Sequence, residues 1–298
     1  TEAITSYNKA IEIQPDYAVA KTNLGVVLQL TGNYSGSKKY LTSGNSDKAR
    51  SFLLRCLYYQ NDEAGFHNTL KELTSSDTCN ALIGSLVSLA ESKFDNKYYN
   101  TFCQKPLEYI LTCSMPYDDV FKRAFIQPTN LALERTSSRE QKLLTNGEQT
   151  AGNLFTKFPS LFDEAQKILA EWVNYYVEYF RDSNEGFIRN WPKKWSINAW
   201  LVNMQSGGQL DPHIHEQGWL SGSLYLSIPS AIDNVSGNLV LSLTDKRTEP
   251  DRKAADAKMI EVSNGLLCLF PSSLYHYTLP FQHKKNRLVL AFDVVPFQ

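Results

Sequence analysis

Residues Asp211-Pro212-His213-Ile214-His215-Glu216 place two histidines one residue apart, and Pro271-Ser272-Ser273-Leu274-Tyr275-His276 supplies a third much further along the chain. In an extended strand, residues i and i+2 share a face. His213 and His215 can therefore aim two imidazoles at one point while His276 reaches it from another strand. Three of the five histidines stand at these positions. The other two, His67 in a helical region and His283 in a lysine-rich turn, read as structural. A mouth built from short strands is the economical setting for such a site, so the stretch bears on the fold as well as on the chemistry.

Working outward, the sequence from residue 196 onward alternates short apolar or alternating runs with Gly, Pro, Asn and Asp. The runs are 196–204, 210–215, 222–228, 237–243, 259–262, 265–270, 275–279 and 287–295, a pattern that predicts a barrel or sandwich of short strands. Upstream, residues 153–180 carry Leu161, Ala165, Ile168, Leu169, Trp172, Val173, Tyr176 and Phe180 on one broad stripe. That spacing predicts one long amphipathic helix packed on the sheet. Asp211 is also two residues from His213 and could supply a carboxylate from the same face, although an aspartate before Pro212 is equally a turn former. Glu216 should point away from the pair.

The opening stretch differs. Ala3-x3-Tyr7-x2-Ala10-x4-Pro15 has small residues where helices approach closely, an aromatic between them and a helix-stopping proline. Asn23-Leu24-Gly25, Leu28 and Gly32-Asn33-Tyr34 follow in the order expected of the next hairpin. Together they resemble the tetratricopeptide (TPR) repeat, whose period is about 34 residues. The stretches 51–59, 65–73, 79–92 and 107–113 keep helical apolar spacing with weaker motif content. The expected organisation is a TPR-like helical region over 1–115 and a strand-rich domain with its leading helix over 116–298. The first residue, Thr1, falls inside an apparent helix, so the chain reads as cut from something longer. A TPR-like surface implies a peptide or protein partner.

Composition narrows the classes. Across 298 residues, 30 Lys and Arg face 31 Asp and Glu, which leaves no positive field for a phosphate backbone and makes nucleic acid an unexpected partner. No apolar run reaches the length of a membrane span. Five cysteines without CxxC spacing favour free thiols, and hence the cytoplasm.

The segment 200–222, from Trp200 through Asp211-Pro212-His213-Ile214-His215-Glu216-Gln217-Gly218-Trp219 to Gly222, resembles the signature of the 2-oxoglutarate/Fe(II) oxygenases fused to TPR repeats. So do Leu269-Phe270-Pro271-Ser272 with His276, Pro280-Phe281, Arg287 to Pro296, and Asn146-Gly147-Glu148-Gln149-Thr150-Ala151-Gly152-Asn153-Leu154-Phe155. The likeness spans about 141–296. It implies a double-stranded β-helix of the jelly-roll, cupin-like kind in an α+β chain, with Fe(II), 2-oxoglutarate and O2 as requirements. By the resemblance His213, His215 and His276 would be the iron ligands. His215 occupies the place where prolyl hydroxylases have aspartate, and the resembled family has histidine there too. Asp211 remains the alternative carboxylate.

Arg287 would grip the distal carboxylate of 2-oxoglutarate, since a guanidinium fork matches a carboxylate with two parallel hydrogen bonds. Its bland alternative is an ion pair with Asp293 on the same strand face. Tyr225, Ser223 and Trp200 would line the cosubstrate pocket. The expected activity is hydroxylation of a C–H bond. Its rivals are a 2-oxoglutarate-independent three-histidine dioxygenase acting on thiols, and a non-catalytic TPR module with a degenerate barrel.

Overall fold

The computed structural model describes residues 2–44, 46–139, 141–229, 235–246 and 256–297, with Ser138 and Arg139 described by backbone alone. Thr1, expected inside the first helix, lies outside the described residues. The chain divides into two compact units, Thr1–Phe102 and Cys103–Gln298.

The described residues of the first unit form six helices: α1 (Glu2–Ile13), α2 (Ala18–Leu30), α3 (Tyr34–Thr42), α4 (Asp47–Tyr59), α5 (Glu63–Ser75) and α6 (Ala81–Phe94). Four begin at side chains that accept a hydrogen bond from the first turn: Asn33 from the Gly36 N–H, Ser46 from Ala49, Asp62 from Gly65 and Asn80 from Ile83. Each helix from α1 to α4 packs on the next, and α4 also packs on α2 and α6. Gly25 marks a close approach of α2 and α3, since a Cβ there would sit 2.6 Å from the Leu41 Cγ. Further along, Phe66 packs edge-on to Phe94 and Tyr98. The later hairpins are therefore regular helices despite their weak motif content, because buried Leu54, Leu57, Phe66, Leu70 and Leu73 keep the helical spacing.

The second unit carries β1 (Leu111–Ser114), β2 (Ser138–Arg139), β3 (Leu144–Thr150), β4 (Trp195–His213), β5 (Leu220–Ser227), β6 (Leu239–Ser242), β7 (Ala257–Ile260), β8 (Leu266–Pro271), β9 (Tyr275–Thr278) and β10 (Arg287–Pro296). They join in the order β1-β8-β5-β10-β4-β9-β6-β7, with β3 paired to β4 and β2 to β3. Every pairing is antiparallel. The sheet curls on itself. Leu239 and Leu241 of β6 share one core cluster with Cys268 and Phe270 of β8, although β6 and β8 stand near opposite ends of the strand order. The result is the curled antiparallel sheet of a jelly roll.

The long strand β4 carries the chain from one side of the curl to the other. Residues 195–204 pair with β10, whereas Leu210 and His213 pair with β9. Between Leu210↔Thr278 and His213↔His276, three steps on β4 oppose two on β9. The extra residue is a bulge at Asp211-Pro212, where a proline with no N–H to donate is tolerated. Such a bulge exchanges the two faces of the strand. Trp200, Val202, Met204 and Leu210 line the interior before it, and His213 and His215 after it.

Three expectations change. The helix expected over 153–180 is interrupted, with Leu154–Lys157 and Asp163–Tyr179 separated by a turn around Pro159. Its longer part buries Ala165, Leu169, Val173 and Tyr176, as the stripe predicts. The stretch 107–113, counted with the helices, is instead part of a 3-10 turn, Pro106–Tyr109, followed by β1 paired to β8. A helical run from Asp119 to Arg135, with a π-helical turn at Lys122–Ile126, was not anticipated from the sequence. Among the described residues no helix is long and apolar enough to cross a membrane.

Candidate metal centre

His213 closes β4 directly opposite His276 of β9. His215 stands just past the strand end, in a turn closed by the Gly218 N–H donating to the His215 carbonyl at 3.0 Å. The pair therefore does not ride on one continuous strand, yet the turn still returns the second ring to the first. Ring centroids lie 4.2 Å apart for His213 and His276, 4.7 Å for His215 and His276, and 5.2 Å for His213 and His215. One potential ligand atom from each histidine lies within 4.8 Å of the other two.

Each ring is held by its Nδ1. The His213 Nδ1 meets the Asp211 carbonyl at 2.8 Å, His276 meets the Leu274 carbonyl at 3.3 Å, and His215 meets the Asp293 Oδ1 at 2.6 Å. Because these partners are acceptors, the network assigns the Nδ1–H tautomer to all three rings and leaves three Nε2 lone pairs. Metal-bound histidines are ordinarily oriented in this way. Burial, reinforced by the neighbouring His215, lowers the His213 pKa to about 4. Burial and the other two rings push His276 well below the usual histidine range. Neutral rings are what a divalent metal requires of imidazole ligands. The donor set thus fits a metal ion.

Asp211 contributes its backbone carbonyl to the arrangement, and its carboxylate is not part of the histidine group. Glu216 is not among the residues lining the cavity.

A cavity of about 340 Å³ runs from the histidines to Arg287. On β10 the alternation places Arg287, Val289 and Ala291 along its wall. Trp200, Ser223 and Tyr225 line it as well, and the Trp200 ring meets His215 edge-on at 5.3 Å. Arg287 is 3% exposed. Its Nε donates to the Gly237 carbonyl at 3.2 Å, and its guanidinium lies 5.1 Å from the Tyr225 ring. Burial lowers the pKa of Arg287 and raises that of the Tyr225 phenol.

Among the described residues no carboxylate forms an ion pair with Arg287. The pair with Asp293 does not form. Six residues of strand separate them by roughly 20 Å, and Asp293 is engaged with His215. The sequence reading missed Asp293 as a partner of His215, together with Ser221 and Ser272 beside it. The signal was present in the alternation of β10, which puts Asp293 on the face of Arg287, but the facing residues depend on strand register.

Residues 198–293 match the family model described as "Putative 2OG-Fe(II) oxygenase", and residues 1–32 match that of a TPR repeat. The two matches fall in the order of the TPR and oxygenase segments that the sequence resembles. No curated protein matches it. Similar solved structures include a prolyl-4-hydroxylase from Pseudomonas putida, 13% identical, covering 63% of this chain and 93% of that one with a TM-score of 0.45. A prolyl hydroxylase from Trichoplax adhaerens, solved with a hypoxia inducible factor peptide fragment, is 13% identical, with 72% and 90% coverage and a TM-score of 0.46. HygX from Streptomyces hygroscopicus, solved with nickel and 2-oxoglutarate, is 14% identical, with 65% and 87% coverage and a TM-score of 0.43.

Proposed function

We propose that the oxygenase domain is an Fe(II)- and 2-oxoglutarate-dependent dioxygenase that hydroxylates a C–H bond of a peptide or protein. The observation that carries this reading is Arg287, a buried guanidinium with no carboxylate partner among the described residues, on the wall of the cavity that holds three histidine Nε2 atoms. A buried charge left unpaired costs several kcal/mol. A dicarboxylate spanning the cavity removes that cost at Arg287.

In this reading His213, His215 and His276 hold the iron through Nε2, and Arg287 receives the distal carboxylate of 2-oxoglutarate. Ser223 and Tyr225 flank that carboxylate, and Trp200 packs beside His215. Val202, Val289 and Phe270 make the walls apolar and exclude water. When bound, Fe(II) and 2-oxoglutarate supply the oxidising power of O2, with the keto acid leaving as succinate and CO2 and one oxygen atom entering the substrate C–H bond. The protein substrate is supported by the TPR match, since such repeats present extended binding surfaces. A cytoplasmic location accords with five cysteines that are all free.

The test is succinate and CO2 release by the purified chain with Fe(II) and 2-oxoglutarate, which is expected to require both. The all-histidine ligand set favours one rival, a three-histidine dioxygenase acting on thiols. Oxygen uptake unaffected by omitting 2-oxoglutarate would decide for that rival.

A further inference from the structure

The usual iron site of this chemistry has two histidines and one carboxylate, and here the carboxylate stands directly behind a histidine. Asp293 is 8% exposed, and its Oδ1 accepts from the His215 Nδ1–H at 2.6 Å and from the Ser221 hydroxyl at 2.8 Å. Ser221 is opposite Asp293 in the pairing of β5 with β10, and its hydroxyl meets that of Ser272 at 2.8 Å. By register Asp293 and Ser221 stand at the end of β10 away from Arg287. Gly218 leaves room for Ser272 and Asp293, since a Cβ there would lie 2.6 Å from the Ser272 Oγ and 3.2 Å from the Asp293 Cγ.

The other two histidines lean on backbone carbonyls, which orient a ring but carry no net charge. Only His215, at the position where a carboxylate ligand is otherwise found, leans on an anion. A divalent ion with three neutral imidazoles and a dianionic cosubstrate sums to zero. Adding Asp293 brings the total to minus one, the value reached when one ligand is itself a carboxylate.

We propose that Asp293 is a positioning residue of the metal centre, fixing the His215 tautomer and orientation and supplying through that ring the negative charge that a directly bound carboxylate would provide. This deepens the metal-site reading above and rests on it. Ser221, itself hydrogen-bonded to Ser272, holds the carboxylate in line, and Gly218 keeps their space open.

The experiment is titration of the metal-free full chain with Co(II), followed by absorption, for the wild type, Asp293→Asn and Ser221→Ala, with circular dichroism of each metal-free protein. Asp293→Asn is expected to weaken Co(II) binding about 10- to 100-fold and to shift the Co(II) absorption bands. Ser221→Ala should weaken it several-fold. Asp293→Asn folded and within twofold of the wild-type affinity would overturn the proposal. If Asp293→Asn does not fold, Ser221→Ala decides, and an unchanged affinity and spectrum overturn it. A wild type that takes up no Co(II) sinks the metal-site reading itself, and this inference with it.

Discussion

The inner face of β10 carries a charge at each end, and the two are treated in opposite ways. Asp293 is held by His215 and Ser221. Arg287 has a carbonyl, an aromatic face and a distant thioether, but no described carboxylate. Folding alone satisfies the first charge, because its partners arrive with the strand register. The second is left without such a partner among the described residues, which is what supports the proposed anchoring of an anion there. Between them Val289 and Ala291 keep the wall apolar, and a low-dielectric wall strengthens interactions at both ends.

The comparison can be broken most sharply at the metal end. His276→Ala is expected to abolish Co(II) binding, and with it the stabilisation that a saturating metal confers, about 2.7 kcal/mol at a hundredfold excess over Kd. The fold should survive. Thermal melts with and without Co(II) check this, and a variant that still gains stability from the metal would remove His276 from the ligand set.

At the other end, Arg287→Met should weaken 2-oxoglutarate binding to the Co(II)-loaded chain by about 2–5 kcal/mol while leaving Co(II) affinity nearly unchanged. Metal-free stability should not fall, because the substitution removes an uncompensated buried charge. Calorimetry and chemical denaturation separate these effects. Asp293→Leu is the counterpart, since it strands the His215 and Ser221 donors and should cost about 1–3 kcal/mol of metal-free stability. Equal responses at the two ends would erase the distinction drawn between them.

The smallest effect belongs to the helical unit. Asn80→Ala removes the cap of α6 and should cost about 1 kcal/mol, with Co(II) and 2-oxoglutarate binding unmoved. A change in either would show that the two units are energetically coupled.

Much of this arrangement is legible without coordinates. The expected strands from 222 onward correspond to β5 through β10 within a few residues, because half-buried strands must alternate and turns must carry Gly, Pro, Asn or Asp. Where local pattern misleads, the cause is specific. The turn around Pro159 divides the stretch read as one helix just ahead of its apolar stripe, and 107–113 has apolar spacing that suits either a helix or a strand until β8 offers it a partner. His215 reads as a strand residue from its spacing to His213, yet it faces the site from a turn.

Residue type, spacing and chain order single out the three histidines and Arg287 as a group, since ligand chemistry restricts which side chains can serve. Their partners were not readable in that way. Whether Asp293 meets Arg287 or His215, and whether Asp211 offers a carboxylate or a carbonyl, depends on register and on the bulge at Asp211-Pro212. One residue of slip exchanges the faces of a strand, and register is set by pairings between segments far apart in the chain. Residue chemistry singled out the candidate ligands, and only tertiary pairing decided what stands behind them.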